Sequence, residues 1–107
     1  MTIIFKSIYK TIKNDFSFLQ EFGFWYLKDL HHYVTPSVVF ESQISEIQIG
    51  MNYADKKIYV IFFEDKNYLF YGTEILENVQ LQGDTYEKQL YQVINIVIDY
   101  LSENCNK

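Results

Sequence analysis

Residues 47–63 constrain the fold more than any other stretch of this chain. Ile47, Ile49, Met51 and Tyr53 alternate with Gln48, Gly50 and Asn52, the period-two signature of a strand that buries one face. Ala54, Asp55, Lys56 and Lys57 then make a short polar turn. Ile58, Tyr59, Val60, Ile61, Phe62 and Phe63 come next, apolar on both faces and rich in β-branched and aromatic types, as expected of a strand inside a sheet. The two strands form a hairpin. A turn loop of either two or four residues sets Ala54 opposite Lys57, Tyr53 opposite Ile58, Met51 opposite Val60 and Ile49 opposite Phe62. Ile47, Ile49, Met51, Tyr53, Ile58, Val60 and Phe62 then share the core face. The other face sets Tyr59, Ile61 and Phe63 against Asn52, Gly50 and Gln48. Such an apolar row needs a cover, from residues 68–71 or a helix, or else it is a contact surface.

A hairpin needs further elements to bury its core face, and 107 residues allow one domain with a single core. Upstream, Phe5, Ile8, Tyr9, Ile12, Phe16, Leu19 and Phe22 fall at helical spacing, with Lys6, Lys10 and Lys13 on the opposite side, which predicts an amphipathic helix. Asn14 or Asp15 can equally cap a second, shorter helix through Phe22, so one helix with or without a break near residue 15 fits the pattern. Gly23 suits the left-handed position after the last turn, with Phe24 packing back onto it. Residues 24–30 read as a first strand, mixed on both faces, and residues 38–40 as a second. Between them Pro36, the only proline, marks a turn.

Downstream, residues 64–67 are polar, and Tyr68, Leu69, Phe70 and Tyr71 suggest a fifth strand. Thr73 can cap a short helical turn through residue 79. Asp84 or Thr85 then caps the clearest helix, with Tyr86, Leu90, Val93, Ile94, Val97, Ile98 and Leu101 on its apolar face. The expected architecture is an α+β domain: an antiparallel meander of four or five strands, an N-terminal helix, and a C-terminal amphipathic helix packed on one face.

Charge narrows the class of function. The net charge is −5, and all nine basic residues are lysine. Phosphate and guanine are read chiefly by arginine and basic patches, so nucleic-acid binding is disfavoured and neutral or basic partners are favoured. No apolar run approaches the roughly 20 residues that span a bilayer. Residues 1–6 lack the order of basic region, apolar stretch and small-residue cleavage site of a secretory signal, so the expected compartment is the cytoplasm. Abundant Ile, Lys, Asn and Tyr without Arg suit a bacterium with an AT-rich genome.

Chemistry-bearing constellations are sparse. His31 and His32 are adjacent, which in a strand points them to opposite faces, and no Cys or further His completes a ligand set, so they read as loop histidines and no metal is expected. Cys105 excludes an internal disulfide and reads as an exposed bystander near a polar terminus. Glu64 with Asp65, and Glu74 with Glu77, are carboxylate pairs of the kind hydrolases use, but spacing alone defines neither a separation nor a cleft. There is no phosphate loop, nucleophile elbow, HExxH or CxxC. The residues point to no catalysis and no cofactor. The ten tyrosines are the most unusual feature, and tyrosine is favoured at interfaces because it brings a large area at low entropic cost.

The order Asp15-Phe16-Ser17-Phe18-Leu19-Gln20-Glu21-Phe22-Gly23-Phe24, then Val38-Val39-Phe40-Glu41-Ser42, then the Ile-x-Ile-x-Met-x-Tyr strand and a closing amphipathic helix resembles small uncharacterised bacterial proteins that are similar to immunity proteins of polymorphic and contact-dependent toxin systems. The resemblance covers roughly residues 14–101. It implies a protein that binds and blocks a toxin, often a nuclease, without turnover, and it carries over no residue roles. From register and charge, the candidate partner-binding residues are Tyr59, Ile61, Phe63, Glu64, Asp65, Asp55 and Glu46. They would serve another protein, such as a basic toxin domain. The alternative is a homodimeric structural or accessory protein that uses the face around Tyr59, Ile61 and Phe63. A third reading is an aromatic-lined small-molecule pocket between sheet and helices.

Overall fold

The structure, a computed structural model, describes residues 2–104 and the side chains of residues 8–104. Phe5 and Lys6, as side chains, and Cys105 lie outside that description. Helix α1 (Thr2–Asp15) is followed by a 3-10 helix (Ser17–Phe22), strands β1 (Trp25–Leu30), β2 (Ser37–Glu41), β3 (Glu46–Asn52), β4 (Lys57–Phe63) and β5 (Gly72–Glu74), and helix α2 (Tyr86–Asn104). The strands form one antiparallel sheet in the order β1-β2-β3-β4-β5, a simple meander. This is the expected α+β fold, with the fifth strand displaced.

Sequence periodicity carried the helices well. Tyr9, Ile12, Phe16 and Leu19 are buried from the first two helical segments, and Tyr86, Val93, Val97 and Leu101 from α2. Both sets join a single core with Val38, Phe40, Ile47, Ile49, Met51, Ile58, Val60 and Phe62 from one face of the sheet. Of the two readings the one with a break near residue 15 is present, but the shorter helix beyond it is of the 3-10 type and starts from Phe16 with no side-chain cap, so neither Asn14 nor Asp15 caps it. Gly23 ends that helix at φ 85°, with Gly23 N donating to Gln20 O and Phe24 N to Leu19 O, both at 3.0 Å, the paired bonds of a Schellman cap. Thr85 caps α2 as expected, its Oγ1 accepting from Lys88 N at 3.3 Å.

The hairpin register differs from the expected one by two residues. Asn52 faces Lys57, Met51 faces Ile58, Gly50 faces Tyr59, Ile49 faces Val60, Gln48 faces Ile61 and Glu46 faces Phe63. A two-residue slip keeps every side chain on its face, so the core face is as expected although each cross-strand partner is not. Two local features select the observed register. The Asn52 Oδ1 accepts from Ala54 N at 3.0 Å and Asp55 N at 3.2 Å, an Asx turn that starts the loop at Tyr53. The Tyr59 ring also lies across Gly50, where a Cβ would stand 2.6 Å from the ring carbon Cζ.

The mixed pattern of residues 24–30 has its cause in a bulge. Trp25 pairs with Glu41 and Tyr26 with Phe40, but Lys28 pairs with Val39. The extra residue, Leu27, reverses the alternation. Tyr26 and Asp29 therefore both look toward α1, where Tyr26 Oη donates to Asp29 Oδ1 at 3.1 Å and Lys13 Nζ lies 3.8 Å from the same oxygen.

Residues 68–71 form no strand. The fifth strand is Gly72–Glu74, and Thr73 is part of it rather than a helix cap. Beyond Glu74 the edge of β4 is closed in pieces: Ile75 N donates to Val60 O at 2.9 Å, and Ile58 N donates to the side chain of Gln89 on α2 at 2.8 Å. Gln89 also donates through Nε2 to Lys56 O at 2.6 Å and Gly83 O at 3.1 Å. One buried polar side chain thus replaces the ladder where β5 stops.

Candidate functional site

Among the described residues no helix packs on the second face of the sheet, yet most of its middle is buried. Val39 lies between Lys28 and Gln48 in the register and is 1% exposed, sheltered by the stems of long neighbours. Tyr59 lies over Gly50 and donates to Thr35 O at 3.0 Å. Phe63 lies over Gly72, where a Cβ would stand 2.5 Å from its ring, and is buried. Ile61 is half-buried. Tyr59 and Phe63 are therefore folded down onto the neighbouring strands, and among the described residues no helix covers the row, while residues 68–71 stand exposed beside it.

The longest run of exposed apolar residues lies at the end of the sheet where the β2–β3 turn meets the β4–β5 loop. Ile44 is 70% exposed, Tyr68 59%, Leu69 49%, Phe70 94% and Tyr71 78%. Four consecutive large apolar residues in water are costly unless something covers them in use. Local sequence explains the loop. Asp65 Oδ1 accepts from Asn67 N at 2.9 Å and Asp65 O from Tyr68 N at 2.9 Å, a tight turn that throws the aromatic run outward.

Lys66 holds this loop to the neighbouring turn. Its N donates to Ile44 O at 2.8 Å, and its Nζ reaches Glu41 Oε1 and Ser42 O, both at 3.1 Å. Ser45 Oγ adds a bond to Glu64 O at 2.8 Å. The patch is thereby pre-shaped rather than a loose loop. Between the two segments runs an open groove of about 680 Å³ lined by Ile44, Glu64, Asp65, Tyr68 and Tyr71, among others.

Of the expected site residues, Glu64 and Asp65 stand exposed on this groove, and Phe63 and Glu46 lie beneath the same end, buried. Burial pushes the Glu46 carboxyl above the usual range, with Glu41 acting the same way and Lys28 and Lys66 opposing. Asp55 belongs to the opposite end of the hairpin, where it hydrogen-bonds Asn52 at 3.2 Å. Sequence reasoning missed Ile44, Phe70 and Lys66. The available signal was the uninterrupted run 68–71 between Asn67 and Gly72, which lacks the alternation of a half-buried strand.

The histidines do structural work. His32 Nδ1 accepts from Val34 N and Thr35 N, each at 3.1 Å, and His31 meets the Tyr9 ring edge-on at 4.7 Å between centroids. Among the described residues no group of three or more His, Cys, Asp or Glu comes together to hold a metal ion. Nor is any described helix long and apolar enough to cross a membrane. A second cleft, of about 130 Å³, opens between the first helical segments and β1, lined by Phe16, Leu19, Phe24, Tyr26, Phe40 and Lys13, among others. Set against known protein families, curated proteins and solved structures, the chain matches none.

Proposed function

We propose that this chain is a non-catalytic, cytoplasmic protein-binding domain of the immunity type, which binds and blocks a toxin through the end of its sheet. The observation that carries the reading is the exposed run 68–71, joined with Ile44 into one patch and held in shape by Lys66. Aromatic anchors beside carboxylates make an interface with an apolar centre and an acidic rim. Glu64 and Asp65 suit a basic partner and speed its approach. The toxin-directed role rests on the resemblance of residues 14–101.

The test begins with capture of a partner on the immobilised chain from the cells that encode it. The captured protein is then expressed alone to assay toxicity, with and without this chain. The Phe70→Ala/Tyr71→Ala variant should weaken the complex by about 2–4 kcal/mol, the scale of interface anchors. Glu64→Lys/Asp65→Lys should slow association and flatten its salt dependence. Undiminished binding by the aromatic double variant would remove the patch from the interface. A harmless partner would remove the immunity role while leaving the binding role intact.

A further inference from the structure

We propose that the outer edge of β1 is a second docking site, taking an extended peptide segment as an additional strand and seating one of its large apolar side chains in the cleft beside that strand. The occupant is a segment of a partner polypeptide in which a Phe- or Leu-sized residue is followed by a carboxylate. This goes beyond the patch at residues 68–71, which is built on the β2–β3 and β4–β5 turns and not on the edge of β1.

Three features of the structure specify that occupant. First, β1 is an end strand whose only neighbour is β2, and among the described residues nothing pairs with the outward backbone of residues 25–29. Such an edge is a ready template for strand addition. Its bulge at Leu27 breaks the regularity of the edge, which limits open-ended sheet growth while leaving Trp25 and Tyr26 accessible, at 46% and 44% exposure.

Second, the cleft adjoins that edge. At about 130 Å³, with Phe16, Leu19, Phe24 and Phe40 at its walls and Lys13, Ser17 and Gln20 among its other lining residues, it approaches in size the roughly 150 Å³ at which an apolar cavity takes up benzene. One aromatic or branched aliphatic side chain fits. Third, alternation along an added strand sends the next side chain to the opposite face, where Lys28 stands exposed beside Val39 without an ion-pair partner among the described residues. A carboxylate there complements it. The edge thus supplies main-chain affinity, while the cleft and Lys28 supply side-chain selection.

The test titrates the full-length, isotopically labelled protein with a capped peptide, Thr-Val-Phe-Glu-Thr, while amide and aromatic NMR signals are followed. Expected are saturable shifts at the amides of β1 and at the rings of Phe16, Phe24 and Phe40. Replacing the peptide's Phe by Ala, or methylating its backbone nitrogens on the bonding edge, should weaken binding at least tenfold. Lys28→Gln, which removes the charge while keeping most of the stem beside Val39, should weaken it about two- to fivefold. The same variant should bind the peptide carrying Gln in place of Glu as the wild type does.

Absence of β1 shifts at millimolar peptide overturns the proposal. So does equal binding of N-acetylphenylalanine amide, which would assign the cleft to small molecules. Concentration-dependent β1 shifts without peptide would assign the edge to a second copy of the chain, and overturn it likewise.

Discussion

Gln89 offers the sharpest test of how this fold closes its sheet. It sits within the apolar stripe of α2, 2% exposed, and its amide makes three bonds, to Ile58 N, Lys56 O and Gly83 O. Gln89→Met keeps the shape and size of the side chain and removes all three. The buried Ile58 N–H then has no partner, which costs about 1–3 kcal/mol. The carbonyls of Lys56 and Gly83 belong to exposed residues and can turn to water, so their loss adds only about 0.5–1 kcal/mol each. The expected total is about 2–5 kcal/mol, a large part of a marginal stability of roughly 5–15 kcal/mol. At about 4–8 °C per kcal/mol for a domain of this size, the midpoint should fall by roughly 8–40 °C.

Gln92 is the internal control. It makes similar bonds one turn on, to Gln82 N at 2.8 Å, Gln82 O at 2.9 Å and Lys88 O at 3.1 Å, but at the surface. Gln92→Met should cost about 0.5 kcal/mol or less per bond. Urea unfolding of both variants, followed by circular dichroism and by hydrogen exchange at Ile58, decides the matter. Equal destabilisation by the two changes would refute the idea that Gln89 stands in for a missing strand.

Single contacts elsewhere give further expectations. Gly50→Ala would place a Cβ 2.4 Å from the Pro36 carbonyl oxygen and 2.6 Å from the Tyr59 ring; a loss of about 3 kcal/mol is expected in urea, with only part recovered by adding Tyr59→Ala, because Pro36 O is backbone. Tyr86 donates to Asp15 Oδ2 at 3.0 Å, and burial, then the Asp15 charge, raises its phenol far above 10. The folded state therefore keeps a proton that the unfolded chain loses near pH 10, so stability falls as pH rises beyond that point. Tyr86→Phe should reduce that alkaline slope, and an unchanged slope would show that Tyr86 is not its source. For Glu46 the folded carboxyl is also raised, so its contribution is most favourable below about pH 4.5 and is lost as pH climbs through its folded value. Glu46→Gln should then raise the urea midpoint at pH 7 and lose that advantage in acid; a lower midpoint at pH 7 would contradict the assignment.

Much of the architecture was legible in local pattern, because burial of one face imposes a period that survives in the residues. The alternation from Ile47 to Tyr53, the helical spacing of Val93, Val97 and Leu101, the Gly23 stop and the Thr85 cap each record a constraint acting within a few residues. A break near Asp15 was legible as one of two readings for the same reason. The functional surface was less so. Glu64 and Asp65 were placed correctly as exposed turn carboxylates, but Tyr59, Ile61 and Phe63 could be assigned only to a face.

Tertiary structure alone decided the choices on which periodicity is silent. A two-residue slip of the hairpin leaves every face unchanged, so only the Asn52 turn and the fit of Tyr59 over Gly50 select the register. The bulge at Leu27 reverses the faces of β1, turning Tyr26 and Asp29 toward α1. An apolar run reads alike whether it is covered or bare, and only the folded chain shows Lys66 bonding across to the β2–β3 turn with residues 68–71 exposed beyond it. Gln89 looks like an interruption of its helix until β5 proves too short to reach Ile58. Sequence determines which side of each element seeks the core; long-range contact determines which partner it meets, because pairing energies depend on groups that only folding brings together.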